Sequence, residues 1–192
     1  QKLDLNHYFR SILKKLDMEN YPDLIKGVRG TSSKWHVPEH FAKGILRAKH
    51  DVHVNRDGTI RYDMTQLPIT HFKPKEIGAP VSELKNLGYN KDIYGNELAG
   101  NDQILELKPQ DVILPKCEDA PEAGADKILY NSSKFIDELL QSFYNIKKFY
   151  NLKSGQDLIG HLVVALAPHT SAGIIGRIIG FSKTQALYAS PL

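Results

Sequence analysis

Apolar residues recur along this chain with two different periods, and each change of period marks an element. Leu5, Tyr8, Phe9, Ile12, Leu13 and Leu16 share one face of a helix over residues 5–17, which Asp4 or Asn6 can cap. Residues 20–37 carry no period and hold Gly27, Gly30 and Thr31-Ser32-Ser33. Pro38 suits the first position of a second helix that runs to Lys49, with Phe41, Ile45 and Leu46 facing inward. The period then shortens to two. Val52 and Val54, the turn Asn55-Arg56-Asp57-Gly58, and Ile60, Tyr62 and Met64 predict a hairpin. A third strand is expected over Leu67 to Phe72, stopped by Lys73-Pro74-Lys75.

A short helix over 80–87 should end at Gly88, and Tyr94-Gly95-Asn96 should turn a loop or small hairpin. Gln103 to Leu107 and Asp111 to Leu114 read as short strands. Ile128, Leu129, Phe135, Ile136, Leu139, Leu140 and Phe143 return to helical spacing over 125–145, with an interruption near Asn131-Ser132-Ser133. His161 to Ala167 fits either a helix capped by Ser154 or a buried strand, because so short an apolar run has no decisive period. Ile174 to Phe181 is β-branched with glycines at 176 and 180, which reads as a strand crowded by close neighbours. Ala186 to Ala189 should be another.

The composition shifts near residues 95–102. The expected division is therefore a basic α+β segment, 1–100, and a more strand-rich unit with one long helix, 101–192. The chain starts at Gln1 without a methionine, and no helix stop or turn signal precedes Leu192. Both ends are expected to be cut points of something longer. The 192 residues hold one cysteine, Cys117, which excludes an internal disulfide framework and a cysteine-based zinc site, and fits a reducing compartment. No run of about 18 apolar residues is present, so no membrane span is expected.

The net charge of +3 conceals a pattern. Residues 1–75 carry 14 Lys and Arg against 8 Asp and Glu, residues 76–146 carry 6 against 13, and residues 147–192 carry 5 against 1. Basic ends around an acidic middle fit either two parts of one surface for an anionic ligand or a scatter of solvated charge.

Candidate chemistry gathers near the end of the chain. His169-Thr170-Ser171 sets a histidine beside two hydroxyls. A nucleophile–base pair, turn capping and phosphate contact are its three readings. No G-x-S-x-G elbow supports the first. Arg177, in the middle of an apolar run, needs either a carboxylate partner or a phosphate-bearing cleft. Gly173, Gly176 and Gly180 fit neither the Walker nor the dinucleotide spacing, which leaves close strand packing. Arg47, Lys49, His50, His53, His71, Lys73 and Lys75 form a basic set suited to phosphate contact or to a solvated face. His50 and His53 lack a third metal ligand. His36, Glu39 and His40 lack the H-E-x-x-H order, and no carboxylate pair has two-metal spacing.

These segments resemble the large subunit of the archaeal D-family DNA polymerases over nearly the whole chain. The resemblance is carried by K-G-I-L-R-A-K-H at 43–50, D-G-T-I-R-Y-D at 57–63, P-I-T-H-F-K-P-K-E-I-G at 68–78, L-K-P-Q-D-V-I-L at 107–114 and A-P-H-T-S-A-G-I-I-G-R-I-I-G-F at 167–181. It implies an α+β fold in which residues 101–192 form most of a double-psi β-barrel with the 125–145 helix inserted. It implies nucleotidyl transfer to a primer 3′-hydroxyl by a two-metal mechanism, with Mg2+ held by an Asp-Gly-Asp motif that this sequence does not contain. The fragment alone is expected to be inactive. The implied partners are primer-template DNA, deoxynucleoside triphosphates, the small exonuclease subunit and the sliding clamp, in the cytoplasm. Within that scheme His169 and Arg177 would face nucleotide or primer phosphates, and Thr170 and Ser171 would shape the same wall. Arg47, Lys49, His71, Lys73 and Lys75 of the 1–100 segment would contact the DNA backbone. The alternative from a different class is a non-catalytic nucleic-acid-binding or assembly module that shares the barrel.

Overall fold

Helix α1 (Leu5–Lys15) forms on the first apolar stripe, and Asp4 caps it by accepting the His7 amide at 3.0 Å. Helix α2 (Phe41–Lys49) starts after Pro38 rather than at it, because His40 supplies the cap: its Nδ1 accepts the Ala42 amide at 3.1 Å. Ile12, Leu13 and Leu16 pack with Ala42, Ile45, Leu46, Val52 and Phe135 in one core. Phe41, expected inside, is 42% exposed beside Tyr8, with ring centroids 5.7 Å apart.

This computed structural model describes residues 2–28, 38–55, 59–165 and 173–190. The chain divides into two units, Gln1–Tyr62 with Ile128–Lys153, and Asp63–Lys127 with Ser154–Leu192. Residue 100, the expected division, falls inside the second unit.

The hairpin expected over 52–64 does not form among the described residues: neither 52–54 nor 60–64 is a strand. The Asn55 amide does donate to the Thr59 carbonyl at 2.8 Å, across a turn whose tip lies outside the described residues. Val52 and Val54 are buried while Ile60 is exposed. Alternation records burial of one side of an extended segment, and a core can provide that without a partner strand.

Helix α4 (Ala125–Glu138) runs unbroken through Asn131-Ser132-Ser133. The Ser132 and Ser133 hydroxyls donate to the Ile128 and Tyr130 carbonyls at 2.8 and 2.6 Å, so these polar side chains are satisfied within the helix. The irregularity comes later, as a π turn over Leu139–Phe143.

In the second unit the strand expected over Leu67 to Phe72 is divided: Leu67 ends β1 (Thr65–Leu67), and β2 is His71–Phe72. Pro68 stands between them and cannot donate to a ladder. Helix α3 (Val81–Asn86) follows and ends at Gly88, whose φ is +97°. Strands β3 (Leu105–Glu106), β4 (Asp111–Pro115), β5 (Leu162–Ala165), β6 (Ile174–Ser182) and β7 (Ala186–Ala189) complete the α+β unit. Residues 162–165 thus resolve as strand, and Ser154 caps a separate 3₁₀ turn, Gly155–Leu158.

Five strands make a mixed sheet in the order β1-β7-β4-β6-β5. The β1–β7 and β4–β6 pairs are parallel, and the β4–β7 and β5–β6 pairs are antiparallel. Strands β2 and β3 pair separately. Phe72, Ile77, Leu84, Tyr89, Leu98, Leu105, Ile113 and Ile179 fill the core.

The glycines of β6 are packing residues. A Cβ at Gly180 would meet Ile77 Cβ and the Ile77 carbonyl oxygen, each at 2.9 Å. The Phe181 amide donates to that same carbonyl at 2.9 Å, which fixes the approach. Gly180→Ala is therefore expected to destabilise the chain by about 2 kcal/mol, read from urea unfolding. Loss of less than about 0.5 kcal/mol would show that Ile77 can move.

Candidate functional site

The parallel register of β4 and β6 sets Asp111 opposite Arg177. Arg177 donates through Nε to Asp111 Oδ1 and through Nη2 to Asp111 Oδ2, both at 2.8 Å. Nη2 also donates to the Leu87 carbonyl at 3.0 Å. The Tyr89 hydroxyl donates to Asp111 Oδ2 at 2.5 Å. The Asp111 side chain is 4% exposed and that of Arg177 is 31% exposed. Of the two readings left open for Arg177, the carboxylate partner is the one the structure contains.

This cluster ties α3's end to two strands of the sheet. Lys108 donates to the Gly88 carbonyl at 2.6 Å and lies 4.8 Å from the centroid of the Tyr89 ring. Burial, with the bond to Asp111, pushes the Tyr89 phenol above its ordinary value, so it stays a donor. The Asp111 bond holds the Arg177 guanidinium above its ordinary value despite partial burial.

The basic set divides between the units. In the first, Arg47 is buried and pairs with Glu39, and it donates to the Lys26 carbonyl at 3.1 Å. Burial lowers its pKa. Lys49 donates to Glu138 Oε1 at 2.7 Å, and His50 Nε2 bonds the other carboxylate oxygen. In the second unit His71 is exposed and bonds Thr70 Oγ1 through Nδ1 at 2.8 Å. The Lys73 amide donates to Glu76 at 3.0 Å, and Lys75 pairs with Asp102. The Asp102 bond raises the lysine and lowers the carboxyl, but both groups are exposed, so solvent screens the pair.

Sequence reasoning picked out these cations and missed their partners. Each of Asp102, Asp111 and Glu138 lies in the acidic middle block, so the charge pattern was the available signal. His169, Thr170 and Ser171 lie outside the described residues. Strands β5 and β6 flank their segment, with Ala165 opposite Ile174 in register.

Among the described residues no group of three or more His, Cys, Asp or Glu is placed to hold a metal ion. His40 is engaged as the α2 cap and with the Tyr8 hydroxyl at 2.9 Å, and His53 lies 3.5 Å from Asp51. No described helix is long and apolar enough to cross a membrane.

Residues 18–192 match the family model described as DNA polymerase II large subunit DP2, catalytic domain. The DNA polymerase II large subunit of Archaeoglobus fulgidus is 54% identical over 191 residues, covering 100% of this chain and 16% of that protein. That of Nanoarchaeum equitans is 48% identical over 204 residues, again covering 100% of this chain. The Pyrococcus horikoshii protein is 56% identical over 169 residues, covering 88% of this chain and 11% of its own length. The chain belongs to the DNA polymerase II large subunit catalytic-domain family. Against the Archaeoglobus and Nanoarchaeum proteins it spans 16% of the relative's length. In this family member, the 166–172 segment is thus flanked by strands β5 and β6, and β6 is braced by the Asp111–Arg177 pair.

Proposed function

We propose that this chain is part of the catalytic subunit of a replicative DNA-directed DNA polymerase, which adds nucleotides to a primer 3′-hydroxyl. The observation that carries the reading is the match to the catalytic-domain family over residues 18–192. In this reading the mixed sheet is part of a double-psi β-barrel. Two parallel pairs joined through an antiparallel one, β1–β7–β4–β6, support it.

Segment 1–100 supplies DNA contacts, with Arg47, Lys49, His71, Lys73 and Lys75 the candidates. Of these, His71, Lys73 and Lys75 fit best: Arg47 and Lys49 are held by Glu39 and Glu138, whereas the Lys75–Asp102 pair is exposed and screened by solvent. His169, Thr170 and Ser171, which lie outside the described residues, are the candidates for contact with the reacting phosphates. Arg177 has its Nε and Nη2 committed to Asp111, which supports a positioning role through strand β6. A DNA polymerase catalytic domain uses divalent metal ions. The described residues offer no set that fits one, so in this reading magnesium takes its ligands from elsewhere in the polypeptide. The substrates are primer-template DNA and deoxynucleoside triphosphates. The partners are the small exonuclease subunit and the sliding clamp, and the location is the cytoplasm.

The test is primer extension by the complete subunit with its small partner. Arg177→Ala is expected to cut extension at least about tenfold, equivalent to about 1.4 kcal/mol in the barrier. Wild-type extension in a well-folded variant would remove Arg177 from the site. The complete polypeptide is also expected to carry Asp-Gly-Asp shortly after Leu192, and a different continuation overturns the polymerase reading. Replacing Lys73 and Lys75 together by Ala should lower the salt slope of DNA binding by about 2. An unchanged slope would make them ordinary surface lysines.

A further inference from the structure

The turn that follows α4 combines unpaired positive charge with exposed rings, and the site described above uses none of it. Lys134, Lys147 and Lys148 are exposed, and among the described residues none has a carboxylate within 4 Å. Tyr144 is 46% exposed, Ile146 55% and Phe149 73%. Two cavities of about 430 and 510 Å³ open here and share Gln141, Lys148 and Asn151 as lining.

The neighbouring acids form no ion pair with these lysines, although the Lys148 charge acts on Asp137 and helps to lower its pKa. Asp137, 4% exposed, accepts the Phe149, Tyr150 and Asn151 amides at 2.8–2.9 Å. Glu138 is occupied by Lys49 and His50. Asp137 also pins residues 149–151 in place, so the Phe149 ring is presented by a fixed backbone.

We propose that residues 141–151, with Lys134, bind single-stranded nucleic acid: the three lysines contact phosphates, and Phe149 and Tyr144 stack on unpaired bases. Charge complementarity selects a polyanion. Exposed rings interleaved with lysines select one whose bases are unstacked, because every base offers a π face while a duplex hides it. The proposal rests on the polymerase reading only in taking nucleic acid as the ligand.

The test is fluorescence anisotropy of a labelled oligothymidylate titrated with the 192-residue chain at several salt concentrations, with a duplex of equal length in parallel. Lys147→Ala with Lys148→Ala is expected to lower the salt slope by about 1.4. Phe149→Ala should weaken single-strand binding about tenfold and leave duplex binding nearly unchanged. These side chains are exposed, and circular dichroism checks that the fold is kept. Lys14→Ala with Lys15→Ala, on α1, serves as the control. Three results overturn the proposal: no binding of the single strand, an equal loss in the control, or a silent Phe149→Ala. Self-association that Phe149→Ala abolishes, with oligonucleotide binding intact, would assign the rings to protein contact instead. Primer extension by the complete subunit is read separately, so either reading can fail alone.

Discussion

Asp111→Ala is expected to destabilise the chain by about 3 kcal/mol, the low end of the range for breaking a buried ion pair. The carboxylate is 4% exposed and holds two groups at once, the Arg177 guanidinium and the Tyr89 hydroxyl. Its removal leaves the Tyr89 hydroxyl without its acceptor and the Arg177 guanidinium without its counter-charge, with only the Leu87 carbonyl still accepting from Nη2. The cost is not at the top of the range because Arg177 is 31% exposed, so water can reach its guanidinium. Removing both partners should be milder. Asp111→Leu combined with Arg177→Met replaces the pair by apolar groups and should recover more than half of the loss. Urea unfolding of the two singles and the double checks this. A loss below about 1 kcal/mol for Asp111→Ala would mean that the pair behaves like a surface salt bridge.

Asp137→Ala should cost about 3 kcal/mol, because one side chain satisfies three backbone amides of the 149–151 turn. Burial works to raise this carboxyl, but the three amides outweigh it and hold it below the ordinary value. The unfolded chain, with a carboxyl near pKa 3.9, therefore takes up the proton first as the pH falls. The contribution is complete above about pH 4 and is lost as the pH drops through the folded value. Wild-type stability followed from pH 6 to pH 2.5 should fall more than that of Asp137→Asn. Parallel curves would show that the carboxylate is not what holds the turn. The same variant loosens Phe149, so its single-strand binding should weaken even at neutral pH.

Local elements were legible where local forces decide them. The stripe of α1, the glycine end of α3 and the β-branched run of β6 all form as the pattern predicts. The errors came where a long-range partner decides. Val52 and Val54 alternate because they are buried on one side, and the pattern could not say that no strand among the described residues pairs with them. Leu67 to Phe72 reads as one strand, but Leu67 belongs to β1, which pairs with β7, and His71–Phe72 pair with β3, and Pro68 permits that split. In the candidate site, Arg177 announced itself as a charge in an apolar run. Its partner is 66 residues away, and only the parallel β4–β6 register brings it into reach.

The charge blocks make the same division clear. The sequence by itself determined the family, the α+β class, the helices and strands with strong periods, and the presence of a cation that had to be satisfied. Propensity, capping and turn chemistry act over a few residues, and fifteen contiguous positions of unusual composition suffice to mark a family. The basic ends around an acidic middle fit either two parts of one surface for an anionic ligand or a scatter of solvated charge. Tertiary structure folded them onto one another, joining Lys49 to Glu138, Lys75 to Asp102 and Arg177 to Asp111. It also decided which lysines stay unpaired. Coulomb attraction between exposed charges is screened beyond about 8 Å at physiological salt, so only positions in space select the partner.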